Sequence, residues 1–347
     1  MTISPPATLV ERWKLAWSIA MAAGGLVLLA GGAESLVRGA SRLAILLGVS
    51  PLVVGLTIVA FGTSAPELVV SVQSAWEDQV DVATGNVIGS NIVNICLILG
   101  LSAVVCPIPC NPSFVKREVP LMIAVTLLAP ALGVAGWWTG HPATDQAPMT
   151  LPRWSCIVLL GSLAAYTLLR YFRSGESPGV LEEVEEIVGK PPAPSAREYA
   201  VEVGLVAMGL VGLVFGARFF LDGALDLAGR LNIHPLVISL TLVALGTSLP
   251  ELATSIVAAV RNHSDISVGN VVGSNVFNIL AVLGGASAVR SLPMQPDVVF
   301  RDYPIALGLS LLCLPIMITG RRVSRLEGAG LIAAYAAYAG LLAFMSR

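Results

Sequence analysis

Long apolar runs separated by short polar and charged clusters fill most of this chain. A helix that crosses a bilayer needs about 20 mostly apolar residues, and on that measure ten stretches are read as spans. The first five run from about Leu15 to Leu47, Pro51 to Trp76, Val82 to Val105, Val119 to Trp138 and Trp154 to Phe172. The second five run from Tyr199 to Leu231, Pro235 to Val260, Ile266 to Val289, Tyr303 to Ile318 and Leu326 to Phe344. The pattern predicts an all-α integral membrane protein. Residues 174–198 interrupt it with Pro178, the acidic run Glu182, Glu183, Glu185 and Glu186, and then Pro191, Pro192 and Pro194. They read as a linker, too short for a soluble domain, between a first half (1–173) and a second half (199–347).

Sliding the chain against itself by 184 residues lays Pro51 to Gly100 over Pro235 to Gly284 without a gap, and 26 of the 50 positions are identical. The strongest blocks are Gly62-Thr63-Ser64-Ala65-Pro66-Glu67 over Gly246-Thr247-Ser248-Leu249-Pro250-Glu251, and Gly85-Asn86-Val87-Ile88-Gly89-Ser90-Asn91 over Gly269-Asn270-Val271-Val272-Gly273-Ser274-Asn275. Five spans separate equivalent positions. Because that number is odd, the second copy crosses the membrane in the opposite sense, so the chain is expected to form two inverted five-helix repeats. That arrangement is a mark of secondary transporters.

Composition agrees with a membrane setting: 55% of the 347 residues are hydrophobic and 12% charged, where soluble domains carry roughly 25% charged. A formal net charge of -2 leaves no basic field for nucleic acid. Cys96, Cys106, Cys110, Cys156 and Cys313 have neither zinc-site spacing nor the density of a disulfide scaffold, and read as small apolar residues. The first sixteen residues hold two prolines and no apolar core. No cleavable leader is expected, and the first span is expected to direct insertion. Twelve basic residues (Arg38, Arg42, Lys116, Arg117, Arg170, Arg173, Lys190, Arg197, Arg261, Arg321, Arg322, Arg325) fall on one side of the ten-span topology, and seven (Arg12, Lys14, Arg153, Arg230, Arg290, Arg301, Arg347) on the other. The positive-inside rule then places the linker in the cytoplasm and both ends of the chain outside, in the cell (inner) membrane.

Glu67 and Glu251 lie mid-span, where an ionised carboxylate is costly unless something neutralises it. Spans two, three, seven and eight contain no Lys or Arg, so the natural partner is a bound cation. Pro66 and Pro250 lack an amide hydrogen and clash with the carbonyl four residues back, which opens the helices near Gly62 and Gly246. Carbonyls of Ala60, Thr63, Ala244 and Thr247 are then freed toward a cavity. Thr63 and Ser64 precede Glu67 by four and three residues, as Thr247 and Ser248 precede Glu251, so they share a helical face. Asn86, Ser90 and Asn94 recur at every fourth residue, as do Asn270, Ser274 and Asn278. Oxygen ligands without thiol or imidazole favour Na⁺ and Ca²⁺ over transition metals, and a flexible cage suits Ca²⁺ better than Mg²⁺. Gly85 with Gly89 and Gly269 with Gly273 form small-xxx-small faces that allow close helix approach.

The paired Gly-Thr-Ser-x-Pro-Glu and Gly-Asn-x-x-Gly-Ser-Asn-x-x-Asn segments resemble the two alpha repeats (51–100 and 235–284) of the calcium/cation antiporter superfamily, in its prokaryotic Na⁺/Ca²⁺ exchanger branch. The resemblance implies alternating access around a central diamond of sites. Glu67 and Glu251 would bind Ca²⁺ with the carbonyls of Thr63 and Thr247. Na⁺ would use the same glutamates with Ser64, Ser248, Ser90, Ser274 and the carbonyls of Ala60 and Ala244, while Asn94 and Asn278 line the centre. The long first and sixth spans would slide across the rest. Where some relatives carry aspartate this chain has Asn278, so its centre holds one negative charge fewer.

Ca²⁺ and Na⁺ are therefore the expected partners, along with the lipid bilayer. No resident cofactor and no obligate protein partner are expected. A Ca²⁺/H⁺ or K⁺-dependent exchanger of the same superfamily is the nearest alternative reading, and a cation channel one of a different class. An intramembrane protease would need His or Ser/His machinery within the spans, whereas His141, His234 and His263 sit at or near connectors. The sidedness is testable by labelling single cysteines in a background without native thiols. Residues 174–198 should be shielded from an impermeant reagent in intact cells, and labelling there from outside would reverse the orientation.

Overall fold

A computed structural model describes residues 9–49, 51–141, 143–173, 195–230 and 246–345. The first apolar run forms one continuous helix, α1 (Leu9–Leu47). The second is broken into α2 (Pro51–Val54), a π-helical stretch (Gly55–Val59), α3 (Ala60–Thr63) and α4 (Ala65–Trp76), with a 50° bend between the parts on either side of Ser64. The third is α5 (Val80–Val93), a π-helical stretch (Asn94–Leu99) and α6 (Gly100–Val105). After strand β1 (Ile108–Pro109) come α7 (Pro112–Trp138), β2 (Met149–Leu151) and α8 (Ser155–Arg173).

The second half repeats this order. It comprises α9 (Ala196–Arg230), α10 (Leu249–Val260), α11 (Ser264–Phe277) with its π-helical stretch (Asn278–Leu283), and α12 (Gly284–Val289). β3 (Leu292–Met294), a π-helical turn (Val298–Asp302) and α13 (Tyr303–Ile318) follow, then β4 (Arg322–Val323) and α14 (Arg325–Met345). The protein is thus an all-α membrane protein of ten spans in two inverted repeats of five. Eight of the spans are long and apolar enough to cross a bilayer within the described residues, if the bent pair counts as one. The other two, Ser155–Arg170 and Leu249–Val260, are shorter apolar helices. The expected seventh span begins in residues 235–245, and the acidic run in the linker; both lie outside the described residues.

Contacts between connectors sort them as the topology requires. β1 pairs with β4 antiparallel, and β2 with β3. On the linker side, Arg170 of α8 meets Glu118 of α7 at 2.6 Å with both side chains largely buried. On the other side, Arg290 pairs with Asp78, Gln295 Nε2 donates to Asp81 (2.6 Å), and the Arg153 guanidinium donates to the Ala288 carbonyl (3.0 Å) at the end of α12. All six tryptophans lie at this far side, five of them exposed, where indole rings settle at headgroup depth. Cys110 is buried at the β1 connector, and burial pushes its thiol up to about 12, which keeps it protonated at neutral pH.

Two large apolar clusters and a small one of Ala60, Phe277 and Ala281 form the interior among the described residues. The largest joins α5 to α8 with α11 to α14. The second lies along α1 and α9, centred on Leu29, Ala33, Leu36, Leu213 and Ala217, and reaches Val54, Val59, Ala258 and Ile266. α1 and α9 run antiparallel in a seam whose facing positions sum to 241: Ser18 opposes Gly223, Gly25 opposes Gly216, and Gly32 opposes Gly209. Glycine recurs every seventh residue on both helices (25, 32, 39 and 209, 216, 223). A Cβ at Gly209 would stand 2.6 Å from the Leu36 nitrogen, and one at Gly216 2.7 Å from the Leu29 nitrogen, so the two backbones touch directly.

The expected close approach is made at Gly273, whose Cβ would meet the Ala60 side chain at 2.8 Å and the Leu56 carbonyl at 2.9 Å. Gly85 and Gly89 meet nothing within 4 Å among the described residues. The position equivalent to the Gly273 contact would fall for Gly89 on residues 240 and 244, which lie outside them. The seam yields a direct stability test. Gly209→Leu should cost at least the ~1–3 kcal/mol typical of overpacking, read as a lower midpoint of thermal unfolding in detergent. Gly204→Leu, on the same helix with open space around it, should leave the midpoint unchanged.

Candidate cation site

Proline chemistry sets the centre of the molecule. Pro66 and Pro250 each sit in the first turn of a new helix, where a missing N–H is tolerated. The breaks fall at Ser64 (φ -80, ψ 5) and Ser248 (φ -90, ψ 8), two residues beyond the expected Gly62 and Gly246. Two backbone bonds still bridge the first break, Ser64 N–H to the Ala60 carbonyl (3.0 Å) and Leu68 N–H to the Ser64 carbonyl (3.1 Å). Contrary to the expectation that it is freed, the Ala60 carbonyl accepts from Ser64 N–H and, at 3.4 Å, from Thr63 Oγ1, because the helical bond ahead of Pro66 survives the break.

Each glutamate follows its proline in the first turn of the new helix, α4 or α10. Glu67 and Glu251 are each 1% exposed. They are cross-linked by hydroxyls from the opposite repeat: Ser248 Oγ donates to Glu67 Oε1 at 3.1 Å, and Ser64 Oγ donates to Glu251 Oε1 at 3.1 Å. The second oxygen of each carboxylate, Oε2, is buried and accepts no hydrogen bond. Buried acceptors are almost always paired, so two such oxygens in matching positions are a strong departure from the norm.

A shell of amides holds these helices in place. Asn86 Nδ2 donates to the Glu67 carbonyl (3.3 Å) and to Ser71 Oγ (2.9 Å). Asn270 Nδ2 makes the matching bonds to the Glu251 carbonyl (3.2 Å) and Ser255 Oγ (3.0 Å), while its Oδ1 accepts from Thr63 Oγ1 (3.1 Å). Asn94 and Asn278 open the paired π-helical stretches, a distortion frequent at functional sites. Asn94 Nδ2 donates to Asn275 Oδ1 (3.3 Å) and Asn278 Nδ2 to Asn91 Oδ1 (3.0 Å), leaving Oδ1 of Asn94 and of Asn278 unpartnered. Ser274 Oγ is unpartnered as well, and Ser90 is buried.

Of the residues singled out in the sequence, Thr63, Ser64, Glu67, Ser90, Asn94, Ser248, Glu251, Ser274 and Asn278 are all buried, Ala60 with them, and Thr247 is half-buried. Ala244 lies outside the described residues. The sequence reading did not single out Asn91 and Asn275, which tie the two repeats together across the centre, or Ser71 and Ser255, which anchor the flanking amides. Their identity at the same 184-residue offset was the available signal. Among the described residues no three His, Cys, Asp or Glu side chains gather into a metal cluster. What the centre offers is two carboxylates with spare oxygens, two amide oxygens and hydroxyls.

An inverted-repeat membrane protein with unsatisfied oxygens at the repeat interface is a secondary transporter of cations by its architecture. The sodium/calcium exchanger protein family matches residues 17–172 and 201–344, and the chain belongs to that family. It is 36% identical over 92% of its length to CaxA of Alkalimonas amylolytica, whose name calls it an antiporter, covering 96% of that protein. It is 29% identical to the sodium/calcium exchanger MaX1 of Methanosarcina acetivorans, over 90% of this chain and 95% of that one. The solved structure of the sodium-calcium exchanger NCX_Mj, soaked without Na⁺ and Ca²⁺, superposes with a TM-score of 0.77 at 29% identity, over 94% of this chain and 99% of that one. The protein is a multi-pass membrane transporter of the cation/Ca²⁺ antiporter class.

Proposed function

We propose that the protein exchanges Ca²⁺ for Na⁺ across the cell membrane by alternating access. The observation that carries this reading is the crosswise pair Ser64 to Glu251 and Ser248 to Glu67, each carboxylate keeping one buried oxygen free. Two carboxylates offset the charge of one Ca²⁺, and the neutral donors around them suit Na⁺ when the divalent ion leaves. In this assignment the carbonyls of Thr63 and Thr247 complete the Ca²⁺ site. Ser64, Ser248, Ser90, Ser274 and the Ala60 and Ala244 carbonyls serve Na⁺, and Asn94 and Asn278 line the centre. The ions are cargo, and no resident cofactor is invoked. The twelve-to-seven basic asymmetry supports a cytoplasmic linker, with the start of α1 and the end of α14 outside.

Imposed gradients in proteoliposomes test the coupling. A Na⁺ gradient directed outward should drive ⁴⁵Ca²⁺ uptake, and uptake driven equally well by a pH gradient without Na⁺ would establish proton coupling instead. Glu67→Gln and Glu251→Gln should each abolish Ca²⁺ exchange. Either one leaves a positive charge uncompensated near the midplane, at a cost of several kcal/mol, which corresponds to about a thousandfold loss of affinity. Asn86→Ala removes only a supporting bond and should weaken exchange without abolishing it. Ca²⁺ flux near wild type in either well-folded glutamine variant would remove these glutamates from the site.

A further inference from the structure

Two charged residues deep in the long helices, Glu34 of α1 and Arg218 of α9, have no part in the cation site. Glu34 is half-buried and holds two arginines, Arg38 on its own helix (2.5 Å) and Arg261 (2.9 Å). Arg261 ends α10, at the turn into α11, so this ion pair ties α1 to the helices that carry Glu251. Beside it Ser41 Oγ and His263 Nδ1 stand 3.4 Å apart. Among the described residues no equivalent ion pair is made on the opposite side of the molecule.

The 184-residue offset extends beyond the alpha repeats and explains the difference. It places Gly25, Gly32 and Gly39 over Gly209, Gly216 and Gly223, so α1 and α9 are themselves a matched pair. It also places Glu34 over Arg218, and Arg261 over Glu77: both partners of the ion pair recur with their charges exchanged. The two turns have the same shape, with Glu77 at φ -83, ψ 9 and Arg261 at φ -83, ψ 8. Each is followed by a left-handed residue, Asp78 at φ 67 and Asn262 at φ 61. Yet Arg218 is exposed and makes no ion pair among the described residues, and the exposed Glu77 takes a hydrogen bond only from Gln73 (2.8 Å). One pair is closed and its inverted twin is open.

We propose that Glu34/Arg261 and Arg218/Glu77 are alternate latches, one closed in each of the two access states, which together set the balance between them. The proposal rests on the alternating-access reading. Inverted halves reach the second state by exchanging conformations, so the geometry that Glu34 and Arg261 have here is the geometry that Arg218 and Glu77 acquire there. An arginine within a membrane span without an ion pair is costly, and among the described residues Arg218 makes none, even with Asp222 one turn further on, the counterpart of Arg38. Closing the second latch relieves that cost for Arg218 while opening the first releases Glu34 to Arg38. The reversal of sign keeps Glu34 from competing for Glu77, and Arg218 from competing for Arg261, because each mispairing sets like charges together.

The cross-linking arm of the test reads proximity and needs no transported ion, so its failure is separable from failure of the exchange reading. In a background lacking Cys96, Cys106, Cys110, Cys156 and Cys313, two double variants are treated with a short bifunctional thiol reagent in proteoliposomes: Glu34→Cys with Arg261→Cys, and Arg218→Cys with Glu77→Cys. Both pairs should cross-link, each should block ⁴⁵Ca²⁺ exchange reversibly, and in the variant with all four cysteines no single molecule should carry both cross-links. Glu34→Gln added to the Arg218/Glu77 cysteine pair should raise its cross-linking about tenfold, within the usual range of coupling between states. Glu34→Arg should slow exchange, and adding Arg261→Glu should restore it. Failure of the Arg218/Glu77 pair to cross-link under any ion condition, both cross-links in one molecule, or no recovery in the charge-reversed double variant would overturn the latch.

Discussion

Everything at the centre of this protein follows from burying two carboxylates at membrane depth, among spans two, three, seven and eight, which hold no basic side chain. In hydrocarbon every backbone and side-chain polar group must find a partner within the protein, yet Glu67 and Glu251 each keep an oxygen without one. The helix breaks at Ser64 and Ser248 exist to bring a hydroxyl of each repeat onto the carboxylate of the other. The proline that permits each break stands directly before the glutamate, so one sequence block supplies the interruption, the hydroxyl and the charge. Asn86 and Asn270 then hold the carbonyls of those same glutamates, fixing the new helix starts against α5 and α11. Remaining lone pairs on Asn94 and Asn278 add neutral oxygen without adding charge.

This arrangement was largely legible from the sequence because its ingredients are local. Gly-Thr-Ser-x-Pro-Glu is a run of six residues whose proline, hydroxyls and carboxylate lie within two helical turns, and its doubling predicted that both copies face the centre, where Ser64 meets Glu251 and Ser248 meets Glu67. The exact break was less legible: proline chemistry points to the carbonyl four residues back, at Gly62, but the bond from Ser64 N–H to the Ala60 carbonyl survives and moves the bend to Ser64. Long-range partners were not readable at all. That Asn91 meets Asn278 and Asn94 meets Asn275 depends on how the two repeats cross, which no spacing within one repeat encodes.

The seam between α1 and α9 was hidden for a related reason. Glycines at 25, 32 and 39 look like ordinary small residues in an apolar run until they are set against 209, 216 and 223. Their seven-residue spacing acquires meaning only when the helices are known to be antiparallel and in register. The inverted repeat generates that register: Gly25 and Gly32 have counterparts 184 residues on at Gly209 and Gly216, and each meets the other's counterpart across the seam. Backbone contact at the glycines, with Leu29, Leu36 and Leu213 packed alongside, binds α1 to α9 in an apolar cluster separate from that of the larger core.

That division of packing bears on how an antiporter of this class can move. Interlocked cores switch between discrete arrangements and resist gradual sliding. A unit that must shift while the site stays whole is best held inside by backbone contact and outside by a few exchangeable polar links. α1 and α9 meet the first condition through their glycines, and the link from Glu34 to Arg261 meets the second. An ion pair suits a joint that has to open, because exposed pairs contribute at most about 1 kcal/mol, small enough for ion binding to reverse. The same two halves that each supply one buried carboxylate also exchange the sign of their peripheral charges, Glu34 over Arg218 and Glu77 over Arg261, so that the centre is symmetric while its charged flanks are not.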